Sequence, residues 1–131
     1  MAPRREARER ALSLGYEAEQ RGVDLDDLLS DLPAEPEPYA RELAEGVARC
    51  QPEIDALLRE FSQRWTPERM PVIDRGLLRL GTFELLHCPD VPTPVVISEA
   101  VALAKEYSTE DSGRFVNGLL SRIAAETRAG V

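Results

Sequence analysis

The stretch from Val72 to Leu86 constrains the fold more than any other, because its apolar residues cover most of the circumference of a helix. These residues are Val72, Ile73, Leu77, Leu78, Leu80, Phe83, Leu85 and Leu86. A helix that is apolar on several sides must be covered on several sides, so we expect it to be the central helix of the fold. Arg75, Arg79 and Glu84 are then its exposed polar positions.

Elsewhere the apolar residues recur at helical spacing, and no segment shows the sustained alternation that is typical of a strand. These stripes predict helices near the N-terminus, within 23–32, from 39 to 47, from Pro52 toward Trp65, and on both sides of the polar segment 108–113. We expect Trp65, the sole tryptophan, to anchor the core. The sequence therefore predicts an all-α fold of about seven helices, in one domain over residues 1–131.

The break between the last two predicted helices gathers residues that suit nucleic-acid binding. Lys105, Tyr107, Asp111, Arg114, Phe115 and Asn117 lie within about two helical turns of this corner. Aromatic rings stack on unpaired bases, cations contact phosphates and an amide reads a base edge, so the set is typical of contact with single-stranded nucleic acid. The alternative is that Tyr107 and Phe115 belong to the core and that the charges form a solvated rim.

Arginines also cluster at the start of the first predicted helix. Arg4, Arg5 and Arg8 fall within an arc of about 100° beside its apolar stripe. The helix dipole opposes cations at an N-terminus by a few tenths of a kcal/mol or more. Such a placement is tolerated where the helix end frays in solvent or where it meets an anion, and the residues alone leave both explanations open.

Three short motifs follow one another in the C-terminal part: Ser98-Glu99-Ala100, Leu103-Ala104-Lys105 and Phe115-Val116-Asn117-Gly118. Their order resembles the C-terminal signature of the NusB family of bacterial transcription antitermination factors, with Ser98 in place of the usual Asn. Further marks of the family are RREARERAL near the N-terminus, Ile54-Asp55, Trp65, Asp74-Arg75, Leu78-Arg79 and Glu84-Leu85. The resemblance covers nearly the whole chain and rests on the combination of these motifs.

The resemblance implies a fold of two small helical bundles packed across each other around shared central helices. It implies a complex with NusE, a small-subunit ribosomal protein, on the single-stranded boxA element of nascent ribosomal RNA. Such a complex joins elongating RNA polymerase and suppresses termination. In the family, the arginine-rich N-terminal segment contacts RNA.

On this basis the expected RNA surface joins the N-terminal arginines to the corner. We expect Arg4, Arg5, Arg8, Lys105 and Arg114 to meet phosphates, Tyr107 and Phe115 to stack on bases, and Asn117 either to read a base edge or to brace the corner. Tyr16 is a weaker candidate on the same surface, and Asp111, at the mouth of the corner, would repel RNA. Arg79 and Glu84, on the central helix, are the candidates for contact with the protein partner.

The charge balance limits RNA binding. Sixteen Lys+Arg stand against 24 Asp+Glu, a net charge of −8, whereas nucleic-acid binders usually carry a basic field. Residues 11–60 hold four of the basic and 13 of the acidic groups, so we expect a modest RNA affinity without a basic partner. The alternatives are a protein-only helical adaptor or homodimer, and a stand-alone relative of the NusB-like RNA-binding domain of RNA methyltransferases. The free protein fits either a monomer or a homodimer.

The sequence shows no constellation of catalytic or metal-binding residues. It has no glycine-rich phosphate loop and no serine nucleophile elbow, so we expect neither enzyme activity nor a cofactor. Cys50, Cys88 and His87 lack the spacing of metal ligands, which favours two free buried thiols over a zinc site. No apolar run approaches the ~18 residues of a membrane helix, and no apolar signal segment follows the N-terminal arginines. We therefore expect a soluble cytoplasmic protein without membrane contact.

Overall fold

A computed structural model gives the fold and describes residues 4–63 and 65–128. Within these ranges the chain forms six α-helices, one short 3₁₀-helix and no strand, which confirms the predicted all-α class. The helices are α1 (Arg4–Arg21), α2 (Leu25–Asp31), α3 (Pro38–Ser62), α4 (Val72–His87), α5 (Thr93–Tyr107) and α6 (Glu110–Thr127), and the 3₁₀-helix spans Pro67–Arg69. No helix in the described ranges is long and apolar enough to cross a membrane.

Helix α4 contacts α1, α3, α5 and α6, so it is the central helix that the sequence predicts. One small bundle contains α1, α2 and α3, and α5 and α6 pack against each other and against α4. The core is continuous through both groups, and Leu77 and Leu78 of α4 are almost completely buried in it. Where α3 passes α4, a Cβ at Gly46 would overlap the ring of Phe83, so the close approach of these helices requires glycine.

Helix α3 joins two segments that the sequence predicts as separate helices, so the predicted break is wrong. It runs over Pro38–Ser62 with Pro52 inside it. A proline inside a helix removes one hydrogen bond and typically costs about 3 kcal/mol. Burial on both sides of the proline offsets this cost, because Leu43, Ile54 and Leu58 are fully buried and each contributes about 1.5–3 kcal/mol.

Trp65 lies on the surface, and its predicted role as a core anchor is wrong. Its side chain is 47% exposed. Helix α3 ends at Ser62, and Gln63 then adopts a left-handed conformation with φ 62°. Trp65 therefore follows the end of the helix and does not extend its apolar face.

Arg75, Arg79 and Glu84 of α4 are buried or half-buried, and their expected exposure is wrong. Arg75 donates to the Pro67 carbonyl at 3.2 Å, and Arg79 donates two hydrogen bonds to Asp55 at 3.0 and 2.9 Å. Other helices cover α4 on several sides, so Arg75 and Arg79 donate to groups of the protein instead of water.

Candidate nucleic-acid interface

Arg8 and Glu84 form a buried ion pair that ties α1 to α4. Arg8 donates from Nε and Nη2 to the two carboxylate oxygens of Glu84 at 2.9 and 2.8 Å, and the Tyr39 hydroxyl donates to Glu84 at 2.7 Å. Arg8 is 3% exposed and Glu84 1%. Burial, with help from the hydrogen bond to Glu84, raises the pKa of the Tyr39 hydroxyl.

This pair corrects two expectations from the sequence. Arg8 does not present its guanidinium to a phosphate, because Glu84 already holds it inside the protein. Glu84 does not present its carboxylate to a partner protein, because Arg8 and Tyr39 occupy both of its oxygens. The reason is the packing of α1 and α3 on α4, which excludes water from this part of α4.

Arg4 and Arg5 lie at the surface, one turn before Arg8 on α1. Arg5 donates to both oxygens of Glu99 on α5 at 3.0 and 2.8 Å, and this hydrogen bonding lowers the pKa of the Glu99 carboxyl. The guanidinium of Arg4 lies over the ring of Tyr39, 4.1 Å from the ring centroid, in a cation–π contact. Both side chains line a shallow surface groove of about 590 Å³, so both remain accessible to a ligand.

Tyr16 and Tyr107 share a second shallow groove of about 540 Å³, which we name the tyrosine groove. It is lined by Glu6, Glu9, Arg10, Leu12, Ser13, Tyr16, Ile73 and Tyr107. Tyr16 is 45% and Tyr107 49% exposed. The Tyr107 hydroxyl donates to the Glu9 carboxylate, which joins the end of α5 to α1 and raises the pKa of Tyr107 to about 12. The groove thus presents two aromatic side chains to solvent, as base stacking requires.

Arg10 is the cation of the tyrosine groove, and the sequence analysis did not select it. Helical spacing contains the signal, because Glu6, Glu9, Arg10, Ser13 and Tyr16 follow one another at intervals of three, one, three and three residues. Residues at these intervals share one face of a helix. Of this polar face of α1, the sequence-based prediction includes only Tyr16.

The corner between α5 and α6 is built around a capped helix start. Thr109 caps α6 by accepting a hydrogen bond from the Ser112 N–H at 3.0 Å. Two residues further on, Asp111 accepts a hydrogen bond from its ion-pair partner Arg114. Lys105 lies across Gly113, and its Nζ is 3.9 Å from the Glu110 carboxylate.

Phe115 and Asn117 have different surroundings at this corner. Phe115 is half-buried and packs against the core, so its ring contributes to core packing and is only partly available to a ligand. Asn117 is exposed, and its side-chain oxygen accepts a hydrogen bond from the Ser121 hydroxyl at 3.3 Å. Its amide nitrogen faces no hydrogen-bond acceptor within the described residues. Of the two, Asn117 is better placed to meet a base.

The cations of this surface differ in how easily they can change partners. Arg5, Lys105 and Arg114 each pair with a carboxylate near the surface. Such pairs contribute about 0–1 kcal/mol, so a phosphate can replace the carboxylate at little cost. Breaking a buried pair costs about 3–5 kcal/mol, which removes Arg8 from this group.

Comparison with known proteins gives the lineage of this arrangement. The model of the NusB family matches residues 5–125. The transcription antitermination protein NusB of Kineococcus radiotolerans is 49% identical over 128 residues, which cover 95% of this chain and 94% of that protein. A solved structure of T. maritima NusB matches with a TM-score of 0.86 and 37% identity, over 96% of this chain and 93% of that chain.

A further solved structure contains the antitermination factors NusB and NusE in complex with double-stranded RNA. One of its chains matches with a TM-score of 0.79 and 28% identity, over 94% of this chain and 96% of that chain. The family match takes in α1 from Arg5 onward and the corner between α5 and α6, the two regions that carry Tyr16, Tyr107 and the cations of the candidate surface. The chain belongs to the NusB family.

Proposed function

We propose that this protein is a transcription antitermination factor of the cytoplasm and not an enzyme. It binds the single-stranded boxA element of nascent ribosomal RNA together with a NusE-type ribosomal protein and acts on elongating RNA polymerase. The family relationship over residues 5–125 carries the proposal. Its relatives include a NusB that is named as an antitermination protein and one solved with NusE and RNA.

The tyrosine groove supports unpaired RNA as the ligand. Exposed rings at Tyr16 and Tyr107 stack on bases only when the bases are splayed out of a duplex. Arg10 lies in the same groove, and Lys105 is two residues before Tyr107. A single strand can therefore place bases on the rings while its phosphates meet neighbouring cations.

The electrostatics support a need for the protein partner. The net charge is −8, and Glu6 and Glu9 line the tyrosine groove itself. A polyanion gains little from such a surface unless a second protein adds positive charge. Arg79, which lines a cavity of about 360 Å³ bordered by α1, α2, α3 and α4, is the remaining candidate for contact with that protein.

A fluorescence-anisotropy titration tests the proposal. Short single-stranded RNAs with a boxA sequence and with the same bases shuffled are titrated with this protein, alone and with its NusE-type partner. We expect weak, salt-sensitive binding alone and tighter, sequence-dependent binding with the partner. Partner binding without any RNA binding would instead support a protein-only adaptor. A dimer without either ligand would support the homodimer alternative.

A further inference from the structure

Cys50, Glu53 and His87 come together where α3 passes the C-terminal end of α4. The thiol sulfur, one carboxylate oxygen and one ring nitrogen all lie within 4.8 Å of one another. His87 Nε2 is 3.1 Å from Glu53 Oε1. Cys50 is half-buried, and the other two side chains are exposed.

The fold places each of these groups for a physical reason. Cys50 and Glu53 are three residues apart on α3, so their side chains lie on one face of that helix. His87 is the last residue of α4, where the helix dipole favours a bound cation. The ring of Phe83 packs 5.3 Å from the His87 ring, centroid to centroid, and limits its orientation.

We propose that these three side chains bind a divalent transition-metal ion and that they prefer Zn²⁺. A thiolate and an imidazole select zinc-like metals, whereas Mg²⁺ and Ca²⁺ prefer sets of oxygen ligands. Zinc lies about 2.3 Å from sulfur and about 2.0–2.2 Å from nitrogen or oxygen, so tetrahedral ligands are about 3.3–3.6 Å apart. The exposed side chains of Glu53 and His87 close the remaining distance by rotation.

A metal at this position would link α3 directly to α4 and leave one coordination position to solvent. This role is separate from RNA binding, because the ligands lie on α3 and α4 and the tyrosine groove is formed by α1, α4 and α5. A metal site at Cys50, Glu53 and His87 reverses the expectation from the sequence that the chain has no metal site. That expectation rests on positions along the sequence, where Cys88 is next to His87, but the fold brings Cys50 and Glu53 of α3 to His87 instead.

A cobalt titration of the full chain under reducing conditions tests the proposal. Co²⁺ bound by a thiolate gives a charge-transfer absorption that oxygen and nitrogen ligands alone do not give. We expect one Co²⁺ per chain with this absorption, and loss of the absorption when Zn²⁺ is added. The Cys50→Ser variant should lose the absorption, and the matched Cys88→Ser variant should keep it.

Two further variants keep the result independent of folding. Glu53→Gln and His87→Gln alter exposed side chains, and each should weaken Co²⁺ binding by about tenfold or more while the circular-dichroism spectrum stays helical. Zn²⁺ should raise the melting temperature of the unmodified protein and not that of Cys50→Ser. Absence of the thiolate absorption, or its survival in Cys50→Ser, would overturn the proposal.

Discussion

Arg5 and Arg8, one turn apart on α1, each donate two hydrogen bonds to a glutamate, but the Arg8 pair is buried and the Arg5 pair is open to solvent. The side chains of Arg8 and Glu84 are 4% and 1% exposed, and those of Arg5 and Glu99 are 47% and 19% exposed. Chemistry and bond lengths are nearly equal in the two pairs. Water is the difference, because a solvated pair exchanges partners at little cost and a desolvated pair does not. Burial therefore decides which arginine fixes the fold and which one can meet a ligand.

The largest expected effect comes from breaking the buried pair. Arg8→Ala leaves the Glu84 carboxylate buried without its cation, so the free energy of unfolding should fall by about 3–5 kcal/mol. Arg5→Ala, the matched control, should cost no more than about 1 kcal/mol because its pair is open to solvent. Urea unfolding measures both. Equal losses in the two variants would contradict the distinction between the pairs.

The tyrosine groove provides the next largest effect. Tyr16→Ala and Tyr107→Ala should each weaken binding of boxA RNA by about 5- to 150-fold, because each removes one stacking surface. Their melting temperatures should change little, since both rings are about half exposed. Trp65→Ala is the matched control, because Trp65 is equally exposed but lies outside the groove. A loss of RNA affinity only in Trp65→Ala would move the stacking surface to that residue.

The salt dependence of RNA binding tests whether Arg5 exchanges Glu99 for a phosphate. Five accessible cations, Arg4, Arg5, Arg10, Lys105 and Arg114, predict a log–log salt slope near −3.5 for a single strand, at about 0.7 per phosphate contact. Arg5→Gln should make the slope shallower by about 0.7. Anisotropy titrations across a range of salt concentrations give the slope. An unchanged slope in Arg5→Gln would show that Arg5 stays with Glu99 in the complex.

The smallest expected effect on RNA binding comes from Asp111, whose ion pair with Arg114 lies at the surface of the corner between α5 and α6. It pairs with Arg114 at the surface, so Asp111→Asn removes one negative charge and releases a cation for phosphate. RNA binding at low salt should tighten severalfold, and the gain should shrink as salt rises. Stability should change little because Thr109, not Asp111, caps α6. Unchanged or weaker binding would place the RNA surface elsewhere.

Sequence periodicity was sufficient for the elements that depend on neighbours along the chain. The residues from Val72 to Leu86 predict the central helix, because a helix that is apolar around most of its circumference must be covered on several sides. Tyr107 is predicted from the sequence as a stacking residue, and the structure places its ring at the surface, where that role stays a prediction. Arg10 is the residue that the prediction missed, although helical spacing puts it on the same face of α1 as the predicted Tyr16.

Other features depend on residues that are distant in sequence. Arg8 and Glu84 are 76 positions apart. No local pattern distinguishes the buried Arg8 from the exposed Arg10, two positions away. The same holds for His87 and Glu53, 34 positions apart. Pro52 looked like a helix start because local propensity favours one there, and long-range burial overrode it.

The uninterrupted α3 has a mechanical consequence. Its 25 residues form a rod about 37 Å long, and it touches α1, α2, α4 and α6. Because α3 packs against helices of both groups, loss of either group removes contacts that stabilise α3, so we expect a single cooperative transition. Heat should then abolish RNA stacking and cobalt coordination at the same midpoint, although the tyrosines lie on α1 and α5 and the metal ligands on α3 and α4.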